Sequence, residues 1–537
     1  METLPPVARG AWQDDPVRLT WGWPGLALIM LAAVAARAWL LFSTPYVPGV
    51  NGAYYLIQAR ALLERGTLGL PDLPLTFCLH AALAWLLATL GRIPRSDAII
   101  LAVKLCDATL PVLAALPVFV LLRQWATGLG RGDAVPLAAA ALSVLALPWL
   151  MIVGELQKNS LALVFLASLP LLLRDWLETP TRKQGMALLA CLAPLGLAHI
   201  GVLGAALVLM VATLVAFALR RGRLLSLRNH LPWIVAGLFI LGFTSALVAW
   251  KFDQSRIVRL ITALTDPGRF ATEGKQIPEP PGGVSILNRW LPFLCFTAAV
   301  LPALAIAWKR RSQMKDADLA LVTGGAFTVL AMTGPWFGTD KELRLSLIAF
   351  LPAIILLSFA LLHIDRAGLR RAILAATLIL VGATGITFIL PGGKAVLEAD
   401  AMDELKGLAP LIGNPRTTTI VTEHGAEWWS AWFLAVHVAQ IDTIRLEDWS
   451  KGETLLFLEV KSGRTVPLGS GRAPQLLGER PASSADKAPP SDKASPGARP
   501  PLIPPSAEVL HDGPALRLVR VAMPPAFLPS EREAQRH

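Results

Sequence analysis

Eleven predominantly apolar runs, many long enough to cross a bilayer, constrain this chain more than any other feature. They lie near 23–43, 98–122, 136–153, 160–173, 185–199, 202–219, 231–250, 290–308, 318–336, 345–363 and 372–391. A hydrocarbon core ~30 Å thick takes about 20 helical residues to cross, fewer where a helix is enclosed by others. Backbone N–H and C=O groups find no water in lipid, so such runs close their hydrogen bonds internally, as helices. The expected fold class is mainly α, a polytopic helical membrane protein of about 11 spans. Composition agrees: 54% of residues are hydrophobic and 16% charged, where soluble domains run near a quarter charged. A disordered chain and a disulfide-stapled secreted domain are both excluded. The stretch 76–91 is apolar but short and follows a Pro-rich loop, so a re-entrant or interface-bound helix is expected there.

The formal charge of +11 does not point to nucleic acid, because the basic residues sit in short loops between apolar runs. Alternate loops carry Arg9 and Arg18; Arg123 and Arg131; Arg174, Arg182 and Lys183; Arg220, Arg221, Arg223 and Arg228; Lys309, Arg310, Arg311 and Lys315; and Arg366, Arg370 and Arg371. The intervening short loops, 154–159 and 337–344, hold only Lys158, Lys341 and Arg344. By the positive-inside rule, residues 1–22 are then cytoplasmic in a multi-pass protein of the cell membrane. The first apolar run lacks a small-residue cleavage site and reads as an anchor.

The membrane domain is expected over 23–391, with outer loops at 44–97 and 251–289. Residues 392–537 read as a small α/β extracytoplasmic domain. Its expected elements are a helix near 398–408, a strand TTTIVTEH, a helix over GAEWWSAWFLAVHV, a strand ETLLFLEV and a last strand ALRLVRV, with a flexible Pro-, Ser- and Lys-rich insert at 467–506. No internal repeat is apparent, which weighs against a transporter built from duplicated halves. Cys78, Cys106, Cys191 and Cys295 lie in apolar stretches with no ligand spacing and read as small core residues.

Polar residues at the outer mouth of a helix bundle are functional candidates, because holding them near lipid is costly. Four groups qualify: Asn51 to Tyr55 after the first run, Glu155 to Asn159 in a short loop, His199 between two runs, and Gly338 to Arg344. Their order, with a long first outer loop and a C-terminal outer domain, resembles the C-type membrane glycosyltransferases, the superfamily of oligosaccharyltransferases, protein O-mannosyltransferases and lipid A aminoarabinose transferases. The resemblance covers roughly residues 23–460. It implies transfer of a sugar from a polyprenyl phosphate or diphosphate to an acceptor (glycan, lipid or protein) on the outer face.

The resemblance also implies roles for particular residues. Asn51 stands where family members carry an acid, in a context like Asp-x-x-Tyr, and an amide cannot accept a proton as a carboxylate does. Asp72, later in the same loop, is the substitute candidate for the base; otherwise it is a turn residue. Glu155 matches an acidic motif that in oligosaccharyltransferases helps to bind a divalent metal, so Mg2+ or Mn2+ is implied there. The plain alternative for Glu155 is an ion pair with Lys158. Arg344 matches a position that contacts the carrier's phosphate, the alternative being a pair with Asp340; Lys158 and His199 are further phosphate partners, or for His199 a helix cap.

Tyr54, Tyr55, Trp428 and Trp429 are candidate sugar or acceptor contacts, with packing as the alternative. Ser430 stands where oligosaccharyltransferases have the Asp of Trp-Trp-Asp, so sequon recognition does not carry over. Lys104 and Asp107 are expected to neutralise each other. The expected function is a membrane glycosyltransferase. The alternatives are an inactive scaffold that binds polyprenyl-linked glycans, favoured by Asn51, and a lipid-glycan transporter.

Overall fold

A computed structural model describes residues 22–221, 284–334, 339–440, 454–462 and 507–520. The apolar runs are helices: α1 (Gly22–Phe42), α4 (Arg95–Thr109) running through a 3-10 turn into α5 (Ala115–Gly128), α6 (Ala134–Leu145), α7 (Leu147–Met151), α8 (Gln157–Glu178), α9 (Arg182–Ala198) and α10 (Ile200–Arg221). In the described segments that follow come α11 (Val284–Lys309), α12 (Asp316–Thr333), α13 (Thr339–Leu362) and α14 (Ala367–Ile389). Eight stretches among the described residues are long and apolar enough to cross a membrane. The expected span at 185–199 is α9, a helix of 17 residues, and the one at 290–308 lies within α11. The run at 231–250, most of the loop 251–289 and the insert 467–506 lie outside the described residues.

The first outer loop holds α2 (Gly52–Arg65) and α3 (Leu75–Leu90). At 16 residues α3 is about 24 Å long, short of a full crossing. Trp85, Leu86 and Leu90 are exposed on one side of it while Phe77 and His80 are buried on the other. The outward apolar rows of α1 (Leu28, Leu31, Trp39) and α14 (Ile379, Leu380, Ile386) are what lipid-facing helices require.

The arginine-rich loops share one end of the bundle and are laced to acids. Arg174 meets Asp318 at 2.5 Å and Glu178 at 2.9 Å, Lys315 meets Glu178 at 3.1 Å, and Arg220 and Arg221 meet Asp316. Arg131 and Arg310 both reach Asp365. Among the described residues these loops thus lie together, as their alternation along the chain predicts.

Inside the bundle, Asp107 does not pair with Lys104 as expected. Its carboxylate takes Arg37 of α1 at 2.6 Å, while Lys104 Nζ donates to the carbonyls of Thr44 and Pro45. Both Arg37 and Asp107 are almost wholly buried. An arginine in the apolar centre of α1 needs an anion, and the facing helix supplies it.

The C-terminal region forms α15 (Ala399–Gly407), β1 (Thr418–Thr422), α16 (Ala426–Leu434), β2 (His437–Gln440), β3 (Thr454–Val460), β4 (Glu508–Asp512) and β5 (Leu516–Arg520). The sheet runs β2-β1-β3-β5-β4, parallel from β2 to β3 and antiparallel thereafter. Two expectations fail here. The helix anticipated over GAEWWSAWFLAVHV stops at Leu434, where Arg60 of α2 donates to the last carbonyls, of Ala431 and Trp432, and Ala435 turns left-handed at φ 55°. His437–Gln440 then pairs with β1. The edge strand β4 is an addition, half-exposed and polar enough to escape a hydropathy reading. One apolar core joins this sheet to the first loop, with Val50, Leu56, Phe77 and Ile99 in the same cluster as Trp429, Leu456 and Leu518.

Candidate active site

At the end of the bundle opposite the arginine-rich loops, three chain segments meet: residues 47–51 after α1, the turn at 154–155 before α8, and the turn at 424–425 before α16. Their closeness is a matter of backbone. Gly154 adopts φ +76°, and a Cβ there would sit 2.4 Å from the Pro48 carbonyl oxygen. Gly425 adopts φ +98°, and its Cβ would meet Val50 and Val396 at 2.9 Å. Only glycine fits such positions. Gly49 donates to the Lys394 carbonyl and pairs with Ala395, tying 47–51 to the C-terminal domain. The Gly154 N–H donates to the second oxygen of Asp107 at 2.7 Å, so the buried Arg37–Asp107 pair anchors the 154–155 turn.

This packing brings Asn51 onto Glu155. Asn51 Nδ2 donates to Glu155 Oε1 at 2.5 Å and its backbone N–H to Oε2 at 3.2 Å. Asn51 is half-buried rather than loop-exposed, and its amide supplies a donor where a second acid would repel. The expected Glu155–Lys158 ion pair is replaced by this arrangement. Glu155 is buried, and burial pushes its carboxyl above the ordinary carboxylate range, against the pull of the Asn51 and Val50 N–H donors and of His424.

Lys158 instead pairs with Asp72. Asp72 is fully buried; it also accepts from the Tyr54 hydroxyl and, at 2.7 Å, from the Leu73 N–H. Gln58 sets the approach: its Oε1 accepts from Gly69 and Leu70 N–H, and its Nε2 donates to the Leu70 carbonyl and to Tyr54. Burial and the Asp72 carboxylate push the Tyr54 phenol well above its usual value, so Tyr54 stays a donor. A carboxylate neutralised by a lysine and saturated with donors is a poor proton acceptor, and Asp72 is placed as the counter-ion of Lys158. The sequence pattern could not show this, because the partners are 86 residues apart.

The aromatic candidates divide. Tyr55 is buried, with its hydroxyl on the Glu155 carbonyl at 3.3 Å. Trp429 is fully buried against Tyr46 and Phe433. Both are packing residues, as burial of each ring leaves no face for a sugar. Tyr54 and Trp428 are half-buried and meet edge to face at 5.2 Å beside the Asp72–Lys158 pair. His199 ends α9, and its Nδ1 accepts the Val202 N–H that opens α10, a capping role.

Arg344 is exposed on α13, within electrostatic reach of His424. The side chain of Asp340, its anticipated partner, lies outside the described residues.

Two residues missed in the sequence complete the mouth. His424 Nδ1 lies 2.8 Å from Glu427 Oε1, and Gln440 Nε2 donates to the same oxygen at 2.8 Å. The signal was present as His-x-x-Glu across the turn that opens α16. It was obscured by the neighbouring tryptophans.

The donor set does not suit Mg2+ or Mn2+. Both Glu155 oxygens already accept N–H groups, the charges nearest it are cationic, and no group of three His, Cys, Asp or Glu side chains that could hold a metal occurs among the described residues.

No family model matches the sequence, and a search of curated proteins finds no match. Among solved structures, the chain is similar to ArnT from Cupriavidus metallidurans bound to undecaprenyl phosphate, at 14% identity and a TM-score of 0.51, over 94% of this chain and 98% of that one. The likeness is one of fold. It spans nearly the whole of both chains.

Proposed function

We propose that this integral membrane protein, with the fold of the C-type membrane glycosyltransferases, moves a sugar from a polyprenyl-phosphate carrier to an acceptor at the membrane's outer face. One observation carries the reading: the turns at 154–155 and 424–425 converge on the segment at 47–51 and bring Glu155 and His424 within electrostatic reach of each other at one end of the bundle, with Arg344 of α13 within reach of His424. Cations and polar groups gathered where a lipid-anchored phosphate would arrive are costly to keep there without such a ligand. That the similar structure was solved with undecaprenyl phosphate supports the choice of carrier.

In this reading Arg344 takes the phosphate with its planar, permanently charged fork. Lys158, neutralised by Asp72, adds a partly exposed ammonium beside Tyr54 and Trp428. Transfer needs the carbon–phosphate-oxygen bond to break with its electron pair on the phosphate, and fixed cations stabilise that charge as it develops.

Arg344→Ala should weaken binding of undecaprenyl phosphate by ~1.5–3 kcal/mol, the range for a lost hydrogen bond to a charged group. Titration of the lipid into nanodisc-embedded protein measures it. Binding equal to wild type would reject the arginine's role. The outward orientation has its own check. A single cysteine at Ser484, in a chain with Cys78, Cys106, Cys191 and Cys295 replaced by serine, should react with an impermeant maleimide in intact cells. Reaction only after lysis would invert the topology and the site with it.

A further inference from the structure

We propose that His424, held by Glu427 and Gln440, is the proton acceptor of the transfer reaction, the role that Asn51 cannot fill. The inference rests on the transferase reading above.

The geometry has the parts of a carboxylate–imidazole base. Glu427 is buried while the His424 side chain is half exposed, so the acid lies behind the ring and the ring faces the mouth. A carboxylate oxygen 2.8 Å from Nδ1 favours the tautomer with the ring proton there, over the one that would accept from the Gln440 amide 2.9 Å from the same nitrogen, and this leaves the lone pair on Nε2. Gln440 holds the same carboxylate oxygen, which fixes the acid in turn. Among the described residues the second Glu427 oxygen has no hydrogen-bond partner, so the oxygen at the ring is the one that the carboxylate's contacts hold in place. The Gly425 turn seats this unit against Val50, next to Asn51. The alternatives are poorer bases: Asp72 is spent on Lys158, and both oxygens of Glu155 are occupied by N–H donors.

The step balances without a co-reactant. The acceptor hydroxyl gives its proton to His424 Nε2, and the oxygen's electron pair forms the bond to the anomeric carbon. The bond from that carbon to the phosphate oxygen breaks, its pair leaving with the phosphate against Arg344. The imidazolium passes its proton to water. Glu427 chiefly, and then Glu155, raise the affinity of His424 for the proton above that of an ordinary imidazole, while burial and Arg344 oppose them. Only the neutral ring accepts a proton, so the rate should climb as pH rises through a value above 6.5 and then level off.

The test uses the full chain in nanodiscs, undecaprenyl-phosphate-linked radiolabelled pentoses and hexoses as donors, and membranes lacking this chain as the acceptor source. H424Q should lose transfer by ~10²–10⁴-fold while binding undecaprenyl phosphate as wild type does. Imidazole added to H424G should restore part of the rate. E427Q should keep transfer but move the acid limb of the pH profile downward, which a merely structural residue would not do. Wild-type transfer with H424Q unimpaired, or with the limb unmoved in E427Q, overturns the base assignment and leaves the transferase reading standing. If H424Q fails to bind the lipid, the limb in E427Q decides by itself. Wild-type protein that transfers none of the donors overturns the transferase reading and this inference together.

Discussion

Arg37→Met should lower the stability of the folded protein by about 3–5 kcal/mol, the loss expected when one partner of a buried ion pair is removed. Asp107 would then keep a negative charge among apolar side chains, with one oxygen bare and the other on the Gly154 N–H. The damage should extend to the site, because that N–H anchors the turn bearing Glu155. Thermal unfolding in nanodiscs gives the first effect, and a parallel loss of undecaprenyl phosphate binding gives the second. In the double variant Arg37→Met, Asp107→Asn the charge is gone while an amide oxygen still accepts from Gly154, so most of the stability should return. A single variant as stable as wild type would show that the pair anchors nothing.

Lys158→Met should be comparably severe, about 3–5 kcal/mol, since it strands the fully buried Asp72. Adding Asp72→Asn should recover the fold, as the amide oxygen can still accept from the Leu73 N–H while the amide NH2 donates to the Tyr54 hydroxyl oxygen. What the double variant does to the lipid phosphate then separates two duties of Lys158. Weakened binding in a refolded protein assigns the ammonium a share of the phosphate. Wild-type binding confines Lys158 to its ion pair, and a double variant no more stable than Lys158→Met would refute the pairing itself.

The residues that were legible in the sequence are those whose position depends on neighbours in the chain. Apolar runs announce helices, and alternation of arginine-rich loops announces which ends lie together, here verified by Arg131, Arg174, Arg220 and Arg310 each meeting an acid from another loop. His199, expected as a phosphate partner, is instead the cap that was its local alternative. Pairings at long range were not. Lys158 chose Asp72 over Glu155, and Asp107 chose Arg37 over Lys104, because a buried charge takes the partner that the fold presents. Local spacing favoured the wrong choice both times. The strand His437–Gln440 was lost to a helix reading since an isolated apolar stretch does not disclose that a free edge of β1 is waiting for it.

The segment carrying Asn51 is gripped on one side by the turn at Gly154 and on the other by the turn at Gly425, and in both cases the grip is main chain against its neighbour. The Gly154 and Gly425 contacts do not involve the side chains that face the mouth, though Asn51 and Glu155 add their own hydrogen bonds. Architecture and reagent are thus written in different parts of the molecule, so a lineage can exchange one acid–base group for another without redrawing the vessel. A mouth of this construction tolerates the departure of a carboxylate from position 51 and the recruitment of an imidazole from another domain. Surveys that identify active members of such a fold by one acidic position will count as dead some that have moved the function elsewhere.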